Sequence, residues 1–147
     1  MNTEVRIKKL SPDAVVPTYG SPFSAGADLY ACEKEPVTIE PGKTVLIHTG
    51  LSFEIPEGFA GLIYARSGLA TKKGLAPANK VGVIDADYRG EVMVSLFNQS
   101  GIPQTVEPGE RLAQMIITPF LKADFTVSDE LSDTLRGQGG FGSTGTK

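Results

Sequence analysis

Tryptophan is absent, and cysteine and histidine occur once each. A lone Cys32 cannot close an internal disulfide, and the chain lacks the Cys and His clusters from which zinc or iron–sulfur sites are built, so any metal must bind through oxygen. No apolar run approaches the roughly 18 residues of a membrane span, and MNTEVRIKKLSPDAVVP has no apolar stretch long enough for a secretory leader. A soluble, cytoplasmic protein with no membrane partner is expected. Basic charge is also scarce: 14 Lys and Arg stand against 17 Asp and Glu, a formal net charge of -3, with only short pairs such as Lys8-Lys9 and Lys72-Lys73. Polymeric DNA or RNA needs a broad positive surface and is not an expected ligand.

Uninterrupted chain is lacking too. The 17 Gly and 10 Pro are spread so that, outside residues 1–11 and 120–136, no twelve consecutive residues are free of both. Long helices are excluded there, and with them bundles, coiled coils and repeated strand-helix-strand crossovers. With 147 residues, 40% hydrophobic and 21% charged, the chain suffices for one domain with a core. A mostly β domain remains.

Alternation marks the strands. Val45, Ile47, Leu51, Phe53 and Ile55 share one parity, broken at Thr49, and Val92, Val94 and Leu96 alternate with Glu91, Met93 and Ser95. Leu62-Ile63-Tyr64 and Met115-Ile116-Ile117 are short apolar runs. Glu40-Pro41-Gly42-Lys43 and Glu107-Pro108-Gly109-Glu110 have Pro and Gly at the centre of a type II turn, and each is expected to open a strand. Their surroundings echo one another, TIEPGKTVLI against TVEPGERLAQ. The expected architecture is an all-β, jelly-roll-like sandwich with at most one short helix, near Ser67 to Lys72. Residues 135–147, LRGQGGFGSTGTK, hold five Gly and only Leu135 and Phe141 for burial; a β domain over 1–134 and a flexible arm over 135–147 are expected.

Several segments could carry chemistry. Gly82 to Gly90, GVIDADYRG, precedes an alternating strand and reads as a hairpin with acidic residues near its tip; Asp85 or Asp87 is either a turn acceptor or a base. Ala65-Arg66-Ser67-Gly68 places a guanidinium, a hydroxyl and backbone N–H groups where they can meet an anion, or else is a Ser helix cap beside an exposed Arg. Asp28, after the small residues Ser24 to Ala27, is a turn residue or a partner of a hydrated divalent cation. Arg136 and Phe141 suit an arm that brings a phosphate clamp and an aromatic lid. His48 and Cys32 read as structural, Cys32 as a buried hydrophobe.

In order, SAGADLYA, ARSGLATKKG, GVIDADYRGEV, ERLAQMII and RGQGGFGSTG resemble the five motifs of the homotrimeric dUTPases, the deoxyuridine triphosphate nucleotidohydrolases, over Ser24 to Gly145. The resemblance implies a trimer with three active sites, each assembled from several chains. It implies hydrolysis of dUTP to dUMP and diphosphate by water attack on the α-phosphorus, limiting uracil in DNA and supplying dUMP for thymidylate synthesis. Mg²⁺ is then the cofactor, held mainly by triphosphate oxygens and water, with Asp28 as an anchor through water. By position in the motifs, Asp85 is the expected base and Arg66, Ser67, Gly68 and Gln114 the phosphate ligands. The resemblance further implies that backbone groups of Gly82, Val83, Ile84 and Asp85 read uracil with Asn79, that Tyr88 packs under the deoxyribose and that Met93 is a further contact. It likewise implies that Arg136 meets the terminal phosphate, that Phe141 covers the base, and that Gly142 and Ser143 add contacts.

Two alternatives stand beside this one. A dCTP deaminase shares the jelly-roll plan but needs a different acid–base set, and ammonia release from dCTP identifies it. A non-catalytic trimeric jelly-roll binding module would use the acidic segment and the tail for partner contacts.

Overall fold

Short strands separated by turns carry almost all of the regular structure in the computed structural model, which describes residues 3–140. In chain order they are β1 (Arg6–Lys9), β2 (Thr18–Tyr19), β3 (Ala27–Tyr30), β4 (Val37–Ile39), β5 (Thr44–His48), β6 (Leu51–Glu54) and β7 (Phe59–Ala65). Helix α1 (Ser67–Lys73) follows, then β8 (Leu75–Pro77), β9 (Gly82–Ile84), β10 (Met93–Asn98), β11 (Gln104–Val106) and β12 (Arg111–Pro119). The strand order in the largest sheet is β2-β3-β12-β7-β9; β5-β10-β8 forms a second sheet, and β1-β6 and β11-β4 are pairs. All these pairings are antiparallel. The architecture is the expected jelly-roll-like β-sandwich with one short helix among the described residues.

The Pro-Gly turns act as their composition demands. Lys43 N donates to Glu40 O and Glu110 N to Glu107 O, both at 3.0 Å. Gly42 and Gly109 take φ of +69° and +77°, which a type II turn requires at its third residue. Strands β5 and β12 start directly after them. The echo between the two segments has a structural counterpart: β4 and β11 lie side by side with Thr38 opposite Thr105. Between the sheets, Leu29, Ile39, Ile47, Leu51, Leu75, Leu96 and Leu112 are fully buried. Each such side chain contributes about 1.5 to 3 kcal/mol through area removed from water.

Two readings of the alternation need correction. The run from Thr44 to Ile55 is not one strand: it is β5 and β6, in different sheets, divided at Thr49-Gly50. Gly50 has φ +67°, and a Cβ there would come within 2.8 Å of both Ala14 Cβ and Cys32 Sγ, so the chain turns in a space that only glycine fills. Similarly, Gly82 to Leu96 is not a hairpin. Strand β9 pairs with β7 and β10 pairs with β5 and β8, so residues 85–92 carry the chain from one sheet to the other. Cys32 is half-buried against the core instead of fully inside it. After β12 the chain leaves the sandwich, and Leu121, Phe125, Val127, Leu131 and Leu135 are almost wholly exposed.

Candidate active site

The first cleft is built on one row of residues across the largest sheet. In β12, Gln114 lies opposite Asp28 of β3 on one side and Tyr64 of β7 on the other. The chain then passes from β7 through Arg66 into α1, so Arg66, Ser67 and Gly68 stand at the end of this row. Arg66, Ser67, Gly68, Asp28, Gln114, Tyr64 and Arg111 all line a hollow of about 360 Å³. Gly26, just before β3, also lines it, and a Cβ there would come within 2.5 Å of Gln114 Oε1.

Charge in this hollow is organised around Asp28, whose side chain is 10% exposed. Arg66 Nε donates to its Oδ1 at 2.6 Å and Arg111 Nη1 to its Oδ2 at 3.2 Å. Both carboxylate oxygens are therefore engaged by arginine, and each guanidinium keeps further N–H groups for another anion. Gln114 Nε2 donates to Ala65 O at 2.9 Å, which fixes its amide at the wall. The reading of Ser67 as a helix cap beside an exposed Arg is overturned. Arg66 itself is the N-cap residue, no side chain caps α1, and Arg66 is drawn in by Asp28. Arg111 is a residue that the sequence reading passed over, although it opens β12 inside ERLAQMII.

The second cleft, about 210 Å³, lies where β9 gives way to the sheet-crossing segment. Val83, Ile84, Asp85, Tyr88 and Met93 line it together with Leu46, Glu91 and Val92. Strand β9 is the last strand of its sheet, so its outer main-chain groups have no strand partner among the described residues. Leu46 and Val83 supply exposed apolar surface. Asp85 is exposed at the rim. The tip is held by Tyr88 N donating to Asp85 O at 3.1 Å and by Arg89 Nη1 donating to Ala86 O at 2.6 Å and Tyr88 O at 3.1 Å. Main chain and Arg89 thus shape the turn. Gly82 and Asn79 do not line this cleft; they lie beside each other, a Cβ at Gly82 falling 3.5 Å from Asn79 Nδ2.

The clefts share no residue, so one copy of the chain brings the expected ligands together in two groups and does not join them. Arg136 belongs to neither; its Nε donates to Gly139 O at 2.8 Å in the exposed terminal segment. Phe141, Gly142 and Ser143 lie outside the described residues. No helix among the described residues is long and apolar enough to cross a membrane.

Fold and clefts define a class: an all-β sandwich with arginine and amide donors gathered in one hollow and a carboxylate at the rim of an apolar slot in another. Comparison with known proteins narrows it. The family model described as dUTPase matches residues 13–145, and the chain belongs to the dUTPase family. It is 48% identical over 141 residues to the deoxyuridine 5'-triphosphate nucleotidohydrolase of Hahella chejuensis (strain KCTC 2396), covering 95% of this chain and 93% of that one. With the protein of the same name from Desulfitobacterium hafniense (strain DSM 10664 / DCB-2) the identity is 51% over 131 residues, covering 88% and 87%. Among solved structures, a mutant of the Staphylococcus bacteriophage 80alpha dUTPase with dUpNHpp superposes with a TM-score of 0.88 at 28% identity, covering 98% of this chain and 99% of that one.

Proposed function

We propose that the chain hydrolyses dUTP to dUMP and diphosphate. The observation that carries this reading is the division between the two clefts, with anion-binding donors in one and a solvent-facing carboxylate beside an apolar slot in the other. Asp85 takes a proton from the attacking water as the new bond forms at the α-phosphorus and the bond to the departing diphosphate breaks. Arg66, Ser67, Gly68 and Gln114, with Arg111 added, bind the phosphates; Asp28 holds both arginines in position. The open edge of β9 offers main-chain donors and acceptors to uracil from Val83 through Asp85, with Gly82 leading into it, and cytosine presents the opposite pattern. Asn79, beside Gly82, supports that edge, Met93 bounds the slot, and Tyr88 lies under the sugar.

Mg²⁺ is the proposed cofactor. Among the described residues no three His, Cys, Asp or Glu side chains gather to hold a metal, and both Asp28 oxygens contact arginine. That donor set fits a cation carried by the triphosphate and reached by Asp28 through water; when bound, it neutralises phosphate charge. A homotrimer in the cytoplasm is the proposed setting. The phosphate cleft of one copy then faces the uracil slot of another, and an arm from residue 135 onward completes each site with Arg136, Phe141, Gly142 and Ser143. Separate clefts and an exposed apolar terminal segment support this arrangement.

The test is diphosphate release from dUTP, dTTP, dCTP and UTP with Mg²⁺. Release from dUTP alone is expected. Ammonia from dCTP would transfer the chain to the deaminases, and silence with every nucleotide would leave a binding module.

A further inference from the structure

The sheet-crossing segment that carries Asp85 and Tyr88 has few ties to the body of the protein, and one residue concentrates them. Glu91 spans the gap between the segment and the β5–β6 turn. Its Oε1 accepts the Gly50 N–H at 2.8 Å, its Oε2 lies 2.9 Å from His48 Nδ1, and its own carbonyl accepts the Tyr88 hydroxyl at 2.9 Å. Beyond it the chain is anchored, since Val92 N donates to Leu51 O at 2.8 Å and Thr49 Oγ1 donates to Val92 O. On the tip side, the contacts of Tyr88 N and Arg89 Nη1 stay within the segment, and the Arg89–Glu54 pair is long at 4.0 Å. The turn on which Glu91 bears is closely surrounded, since a Cβ at Gly50 would come within 2.8 Å of Ala14 and Cys32.

We propose that Glu91 is a positioning residue for nucleotide selection: its carboxylate, clasped by His48 and Gly50, fixes the carbonyl that aims the Tyr88 ring at the sugar. This rests on the reading of Tyr88 as the sugar-facing residue. Glu91 and Tyr88 line the same slot, and His48 stands opposite Met93, another wall of that slot, in the β5–β10 register. The clasp is sensitive to protons. The His48 pKa is raised above its ordinary 6.5, first by the hydrogen bond to Glu91 and further by the charges of Glu91 and Glu33, against a lowering by desolvation. Glu33 Oε1 also accepts the His48 backbone N–H at 2.8 Å, and Asp13 and Lys34 line a separate small hollow together with His48, Gly50 and Glu91. The charge-assisted form of the clasp is complete below pH 6.5 and weakens as pH rises through the raised value.

The experiment is the ratio of kcat/KM for dUTP over UTP, measured from pH 5.5 to 9 on the full-length protein, where triphosphate ionisation is common to both nucleotides and cancels. Tyr88→Ala sets the reference, and its ratio must collapse for the reading of Tyr88 to hold. Glu91→Ala is expected to lower the ratio by about tenfold, mainly through KM for dUTP. Glu91→Gln keeps an oxygen for Gly50 and should restore most of the ratio while removing its pH dependence. His48→Asn should likewise give a flat profile, against a fall of about threefold across the wild-type range. If Tyr88→Ala collapses the ratio but Glu91→Ala does not, the inference fails alone. If Tyr88→Ala leaves the ratio unchanged, the sugar-facing reading fails, and the inference with it. Should Glu91→Ala not fold, the two conservative variants decide: a pH-dependent wild type flattened by both supports the clasp, and profiles identical to wild type overturn it.

Discussion

Two aspartates of the matched motifs stand in opposite environments. Asp28 is buried and holds two guanidinium groups, whereas Asp85 is exposed at the rim of an apolar slot. Both oxygens of Asp28 are taken by arginines while Asp85 faces solvent, so the proposed division gives Asp28 the task of orienting arginines and Asp85 that of receiving a proton. Asp85→Asn is expected to lower kcat on the order of a thousandfold while dUTP binding, followed by calorimetry, changes little. Undiminished turnover would remove Asp85 from the chemistry. Residue identity in the motifs pointed to Asp28, Arg66 and Gln114, but their grouping around Arg111 had no local sign. Arg66 and Arg111 lie 38 and 83 residues from the carboxylate they share. The only available signal was a basic residue opening an apolar strand directly after a Pro-Gly turn.

At the scale of elements, chemistry that acts within a few residues was legible and pairing across the chain was not. Type II turns at 40–43 and 107–110 follow from Pro fixing φ and Gly accepting positive φ, and both occur. The alternation from Val92 to Leu96 also holds, with Val92, Val94 and Leu96 buried. Period two, however, says which residues face inward and nothing about which sheet receives them. That is why the run from Thr44 to Ile55 could hide a change of sheet, and why 82–96 resembled a hairpin although its strands have different partners. Gly50 is the hinge of the first case. Gly50→Ala is expected to destabilise the fold by about 2 to 4 kcal/mol, from strain at positive φ and the clash with Ala14 and Cys32, read as a lower urea midpoint at unchanged slope. A midpoint equal to wild type would mean that the turn relaxes freely. Removal of residues 136–147 should leave the same midpoint intact, because the adjoining segment is exposed, and lower turnover at least a hundredfold. Full activity of the truncated chain would sink the proposed role of the arm.

For the whole molecule, the two separate clefts make the proposed trimer testable. If each site joins the phosphate cleft of one copy to the uracil slot of another, Asp85→Asn and Arg66→Ala chains are each inactive alone. Refolded together in equal amounts they should regain about a quarter of wild-type activity, since that share of sites draws both intact halves. Inactivity of the mixture, with sedimentation confirming mixed trimers, would place both halves of each site on one copy. The segment that follows β12 carries a practical consequence of its own. Lys122 and Arg136 stand exposed on a stretch without strand or helix, open to trypsin-like cleavage, while the sandwich behind them is tightly bonded. A preparation nicked there would still give the same β-rich spectrum and melting curve. Declining activity in storage would then report a shortened chain, and intact mass, not a folding assay, is the quality control that detects it.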